Sequence, residues 1–212
     1  KLFTFFLGGF YERGQADLAP FFNYLPWLYL FLMPALSMRL WAEERKSGTI
    51  ELLMTLPIAP WQAVIGKYLA AWAVAGVALA LTFPIWITVN YLGNPDNGAI
   101  LAAYIGALLV AGGLLAIGTC FSAVTRNQVI AFILSVTVCF LLLVSGFAMV
   151  LNAFQGWARQ PVIDAIASLS FLTHFGSIAK GVIDIRDLLY FATVIAVWLM
   201  ATVIVLDLKK AD

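Results

Sequence analysis

EERKSGTIELLMTLP, residues Glu43–Pro57, is the stretch around which the rest of the chain is organised. It places mixed charge between long apolar runs and then becomes largely apolar after Ser47-Gly48-Thr49, where a helix can start. One stripe of the helical wheel carries the apolar residues Ile50, Leu53, Met54 and Pro57. We therefore expect a short helix that ends at Pro57 and either fills a groove of a partner or rests on lipid headgroups.

The composition predicts a membrane protein. Of the 212 residues, 63% are hydrophobic and 11% are charged, against about 25% charged in an average soluble domain. A soluble core of this size could not hide so much apolar surface, so lipid must be the solvent for most of the chain. The formal net charge of +1 gives no case for nucleic acid binding. Cys120 and Cys139 lie in apolar runs, and we expect both to be buried small hydrophobes.

Hydropathy predicts an all-α polytopic bundle that forms a single transmembrane domain over residues 1–212. The five predicted spans are 19–40, 68–91, 100–124, 128–151 and 187–206. A charged segment, 43–60, follows the first span, and a long segment, 152–186, precedes the last. The apolar run LFTFFLGGF after Lys1 is too short to cross a bilayer, and we expect it to be the tail of an earlier helix; a signal-peptide remnant is the alternative.

The distribution of lysine and arginine predicts the orientation. These residues are densest in the short connections after the first and third spans and at the C-terminus, namely at Arg39, Arg45, Lys46, Lys67, Arg126, Lys209 and Lys210. Because cytoplasmic loops carry an excess of positive charge, segment 43–60 is expected in the cytoplasm and segment 152–186 outside.

The third span has small residues at four-residue spacing, Ala102 with Gly106 and Ala107 with Ala111. Such pairs let helix backbones approach closely. Packing within the chain and a contact between two copies in a dimer explain this pattern equally well.

The apolar stretches of the predicted spans lack ionisable side chains, although ion-coupled carriers usually keep such groups at membrane depth. The sequence also lacks a P-loop. Energy for uphill transport would therefore come from another polypeptide. An apolar path favours a lipid, a lipid-linked molecule or an amphipathic cargo over a small ion.

The charged segment resembles the cytoplasmic segment of permeases of type-2 ATP-binding-cassette exporters, whose motif is Glu-x-x-x-Gly-Thr-x-Glu-x-Leu-x-x-x-Pro. The matching positions are Glu44, Gly48, Thr49, Glu51, Leu53 and Pro57. With NPDNG at 94–98, RNQVIAF at 126–132 and GVIDIRDLLYF at 181–191, the chain is similar to the gliding-motility-associated subfamily of these permeases. That family has six spans, so the resemblance implies that most of a first helix is missing here.

The resemblance implies that segment 43–60 holds the coupling helix, which docks in a cleft of a separate ATPase subunit. Gly48, Thr49, Glu51 and Leu53 would lie at the contact, before the stop at Pro57. An adjoining charged turn would comprise Glu43, Glu44, Arg45 and Lys46. The implied protein is a multi-pass permease of the bacterial inner membrane with no cofactor of its own, because ATP and Mg²⁺ bind the ATPase. Further implied partners are a second permease subunit, identical or related, and a periplasmic accessory domain.

The external segment 152–186 is expected to carry short helices at the outer leaflet. Its candidate gate residues are Phe171, His174, Asp184, Arg186 and Asp187. Packing is the favoured role for Phe171 and His174, and Asp184 and Asp187 suit the N-terminus of the last span. Contact with an external partner domain is the alternative.

Two other function classes were weighed against a transporter. Glu43-Glu44 matches the paired glutamates of membrane-embedded prenyl-protein proteases, but Gly48 stands where that pattern needs arginine. Ser135 and Ser145 have no histidine in a neighbouring span that could activate them. A membrane anchor for an ATPase that transports nothing itself also fits, and substrate-stimulated ATP hydrolysis would separate it from an exporter.

Overall fold

The computed structural model describes residues 18–50, 58–155 and 166–208, and within them the regular elements are all helices, as the sequence predicts. In chain order they are α1 (Ala19–Ser37), α2 (Arg39–Ser47), α3 (Pro60–Ala80), α4 (Phe83–Leu92), α5 (Asn97–Val124), α6 (Gln128–Val144), α7 (Ala148–Gln155), α8 (Phe171–Ile178) and α9 (Ile185–Leu208).

Four long apolar helices in these ranges have the length and composition to cross a bilayer. They are Ala19–Ser47, in which α2 continues α1, Pro60–Leu92, in which α4 continues α3, and α5 and α9. They cover four of the five predicted spans. The first extends beyond residue 40 and carries the charged run Glu43–Lys46 as helix. The second begins at Pro60, where proline suits a first helical turn, and breaks just before Phe83-Pro84.

The structure differs from the sequence-based prediction over residues 128–151, which were expected to form one span. Helix α6 ends at Val144 after 17 residues, and α7 starts at Ala148. Gly146 lies in this break, and a Cβ atom there would be 2.5 Å from the hydroxyl oxygens of both Ser170 and Thr173. Gly146, which has no side chain, therefore allows the close approach of these two polar side chains.

The contacts divide the chain into two compact units, the first formed by the described parts of 1–28, 76–110 and 141–188. Here the small residues of α5 pack within the chain. A Cβ atom on Gly106 would lie 2.9 Å from Ile178 of α8, and the ring of Tyr104 lies 5.2 Å from that of Phe22 in α1. At Gly106 the small-residue pattern therefore serves intrachain packing.

The second unit is formed by the described parts of 29–75, 111–140 and 189–212. Its core contains Trp41, Val64, Ala123 and Leu206, all at most 2% exposed. Tyr68 of α3 donates a hydrogen bond to the Gly112 carbonyl of α5 over 3.1 Å. The starts of α2 and α3 and the ends of α5 and α9 thus share one core. Cys120 and Cys139 are buried, as predicted.

Candidate functional site

The charged residues predicted as a turn lie in helix α2. It ends at Ser47, and Gly48 follows with φ +75°, a left-handed conformation that favours glycine. The Ser47 hydroxyl donates to the Glu43 carbonyl over 3.0 Å and contacts the Thr49 hydroxyl at 2.9 Å. The backbone is helical again at Thr49. The rest of the predicted new helix, residues 51–57, lies outside the described residues.

A serine of α5 joins the start of α2 to the end of α5. The Ser122 hydroxyl accepts hydrogen bonds from the backbone N–H groups of Trp41 and Ala42, over 3.0 and 3.1 Å. It donates to the Met38 carbonyl over 2.9 Å. Met38 separates α1 from α2, so this hydroxyl bonds the backbone groups at the junction of the two helices.

Arg45 reaches the last turn of α5. Its guanidinium donates to the Ala123 carbonyl and, over 3.2 Å, to the Val124 carbonyl. The last carbonyls of a helix have no partner within the helix, and they carry the negative end of its dipole. Arg45 therefore stabilises the C-terminus of α5 while it holds α2 there.

Lys67 of α3 holds α2 from a second direction. Its ammonium group donates to the Leu40 carbonyl over 2.9 Å, forms an ion pair with Glu44 and lies 4.1 Å from the centre of the Trp41 ring. The Lys67 and Glu44 side chains are 23% and 32% exposed, so water screens the pair only in part. We call the contacts made by Ser122, Arg45 and Lys67 the α2 anchor.

The predicted coupling residues separate into two groups. Glu44 and Arg45 are half-buried and are used within the α2 anchor. The exposed residues, here called the docking face, are Glu43, Lys46, Gly48 and Thr49. The remaining predicted residues, Glu51, Leu53 and Pro57, lie outside the described residues.

Sequence reasoning missed Ser122, because a serine near the end of a long apolar run carries no local signal. Lys67 was used only as one of the positive charges that predict the orientation. Its position about two helical turns from the start of α3, after the acidic segment, is the signal that could have identified an ion pair.

Among the candidate gate residues, His174 and Asp187 lie together. Nδ1 of His174 is 2.6 Å from one Asp187 carboxylate oxygen, and its Nε2 is 2.9 Å from the Ser168 carbonyl. The Ser177 hydroxyl donates to the other oxygen of Asp187, which is 7% exposed. Through these contacts the imidazole of His174 links α8 to the start of α9.

The other gate candidates are separate from this network. Phe171 is completely buried and packs in the core, the role favoured for it. Asp184 directly precedes α9 and accepts a hydrogen bond from the Arg186 N–H over 3.0 Å, as expected for a carboxylate at a helix N-terminus. Arg186 is exposed. Phe171 thus lies in the core and Asp184 at the start of α9, and a gate role for these residues stays a prediction.

The comparisons with known proteins identify a family. A family model described as ABC-2 family transporter protein matches residues 4–208. That range covers nearly the whole chain, including all residues of the α2 anchor. No curated protein and no solved structure matches the chain.

Proposed function

The chain belongs to the ABC-2 family of transporter proteins, and we propose that it is the permease of a bacterial exporter driven by a separate ATPase subunit. It is a multi-pass membrane protein, and its family implies association with an ABC ATPase. We place it in the inner membrane, with a second permease subunit beside it and ATP and Mg²⁺ bound by the ATPase. The gliding-motility-associated subfamily and a periplasmic accessory domain are part of the same proposal.

The α2 anchor is the observation that carries the proposal. An external protein can press only on exposed groups, and the docking face offers two side chains of opposite charge, Glu43 and Lys46, beside the turn at Gly48. The half-buried side of the same helix is bonded to the end of α5 and to the start of α3. Force applied to the docking face would therefore reach both helices through bonded contacts.

The proposed motion is a switch between two packings of rigid helices. ATP binding closes the ATPase pair, the docking face moves with it, and the anchored ends of α3 and α5 follow. The exported cargo is lipid-like, lipid-linked or amphipathic, because the apolar stretches of the predicted spans offer no Asp, Glu, Lys, Arg or His side chain for a small ion.

Two glycines provide a matched test of the docking assignment. Gly48→Ala puts a Cβ atom on a residue with φ +75°, which costs about 1–2 kcal/mol. Gly66→Ala places the same methyl group within α3, where no atom of the described residues is found within 4 Å of it. We expect Gly48→Ala to lower transport per ATP hydrolysed about fivefold or more, and Gly66→Ala to leave it unchanged.

The measurement uses the permease co-purified with its ATPase and reconstituted in vesicles, with a fluorescent short-chain phospholipid as probe. Glu51→Lys is a second variant that reverses a predicted contact charge. Equal transport by the Gly48 and Gly66 variants would refute the docking assignment. A wild-type complex that hydrolyses ATP but neither moves the probe nor responds to it would favour the membrane-anchor function instead.

A further inference from the structure

A cavity of about 590 Å³ lies in the first unit, between the beginning of α1, the beginning of α5 and α8. Its volume falls within the range of roughly 300–1,000 Å³ that is usual for ligand sites. It is distinct from the docking face, and none of the five candidate gate residues is among its described lining residues. The cavity therefore needs its own explanation.

Most of the cavity wall is apolar and aromatic. Trp27 of α1 stacks on Phe147, with ring centres 6.1 Å apart and planes 12° from parallel. Phe22 and Phe175 line the cavity and are almost fully buried, and Ala103 contributes a small side chain. Such a wall favours a hydrocarbon chain, whose burial is favourable in proportion to its area.

The cavity wall also contains two charged residues, Asp96 and Lys180. Lys180 is held near the start of α5 by the next residue, Gly181, whose φ is +87° and on which a Cβ atom would lie 3.4 Å from Ala99. A lipid whose acyl chain fills the apolar part would thus have its head group near these two side chains.

The Asp96 carboxylate is already bonded to the backbone, whereas the Lys180 ammonium group forms no ion pair within the described residues. The Asp96 carboxylate accepts hydrogen bonds from the backbone N–H groups of Gly98 and Ala99, over 2.9 and 3.2 Å, so its charge is offset by the N-terminus of α5. Lys180 is exposed, and among the described residues it forms no ion pair. An anionic head group therefore complements the site better than a neutral or cationic one.

We propose that this cavity binds a membrane phospholipid, with an acyl chain against Trp27 and Phe147 and the phosphate at Lys180. The inference goes beyond the proposed function, because binding needs neither ATP nor the ATPase. The site would serve a transported lipid or a lipid that stabilises the permease.

The test is equilibrium binding of lipid to the delipidated full chain in detergent, with dioleoyl phosphatidylglycerol compared with dioleoylglycerol. The two probes share their acyl chains and differ in the phosphate head group. We expect Lys180→Gln to weaken the phospholipid about tenfold, the loss of one charge-assisted contact, and to leave dioleoylglycerol unchanged. Lys46→Gln, which removes a lysine of the docking face, is the control and should change neither.

A second variant tests the apolar part of the cavity. Ala103→Phe fills space next to the proposed acyl chain. If the variant protein folds, it should show no saturable binding of either lipid. If it does not fold, the Lys180→Gln result decides the test. Equal effects of Lys180→Gln and Lys46→Gln would overturn the proposal. So would displacement of the phospholipid by inorganic phosphate, which would assign the site to the free anion.

Discussion

Ser122→Ala should weaken the α2 anchor by an amount that can be worked out from its three hydrogen bonds. The substitution leaves the N–H groups of Trp41 and Ala42 and the Met38 carbonyl without this partner. Ser122, Trp41 and Ala42 are completely buried, so water cannot replace the hydroxyl. Each buried orphan costs about 1–3 kcal/mol, and with some relaxation we expect a loss of about 2–4 kcal/mol in the free energy of unfolding.

Ser135→Ala is the matched control. Ser135 is also completely buried, but its hydroxyl donates only to the Ala131 carbonyl of its own helix, over 2.7 Å. We expect its removal to cost less than about 1 kcal/mol, because both ends of the bond belong to α6. Equilibrium unfolding in mixed micelles measures both variants, and transport per ATP hydrolysed tests the link to coupling. Equal losses of stability in the two variants would refute the role assigned to the Ser122 bridge.

Two further predictions concern ion pairs. Lys67→Met should lose about 2 kcal/mol of unfolding free energy, because it removes the ion pair with Glu44 and a backbone hydrogen bond. Lys46→Met on the docking face should change this free energy by less than about 0.5 kcal/mol. Similar losses in the two variants would contradict the assigned contacts. Asp187→Asn should cost about 2–3 kcal/mol, because the histidine and serine it bonds lose a charged acceptor, and the exposed Asp184→Asn less than about 1 kcal/mol. The reverse order in unfolding measurements would show that the network is not structural.

The helical class and four long spans could be predicted from the sequence because they depend on local properties. Length and hydropathy of a run such as Asn97–Val124 decide whether it can cross a bilayer, whatever surrounds it. The break at Gly146 could not be predicted in the same way. Gly146 lies beside Ser170 and Thr173, which are distant in sequence, and only the folded chain brings these residues together.

The candidate site shows the same division. Mixed charge between apolar spans is enough to predict that Glu43 and Lys46 face water. The inward roles of Glu44 and Arg45 follow from Lys67 and from the end of α5, which only the folded chain brings near them. A family motif marks positions, but it does not tell which of its charges contact a partner and which hold the helix in place.

Most hydrogen-bond acceptors of the α2 anchor are backbone carbonyl oxygens. Arg45 binds the carbonyls of Ala123 and Val124, and Lys67 binds that of Leu40. A backbone carbonyl oxygen is present whichever residue occupies its position. Residues of similar size can therefore replace one another there during evolution without loss of these hydrogen bonds. Substitution is restricted instead at Arg45, Lys67 and Ser122, because a single nucleotide change can remove the side-chain groups that form these hydrogen bonds.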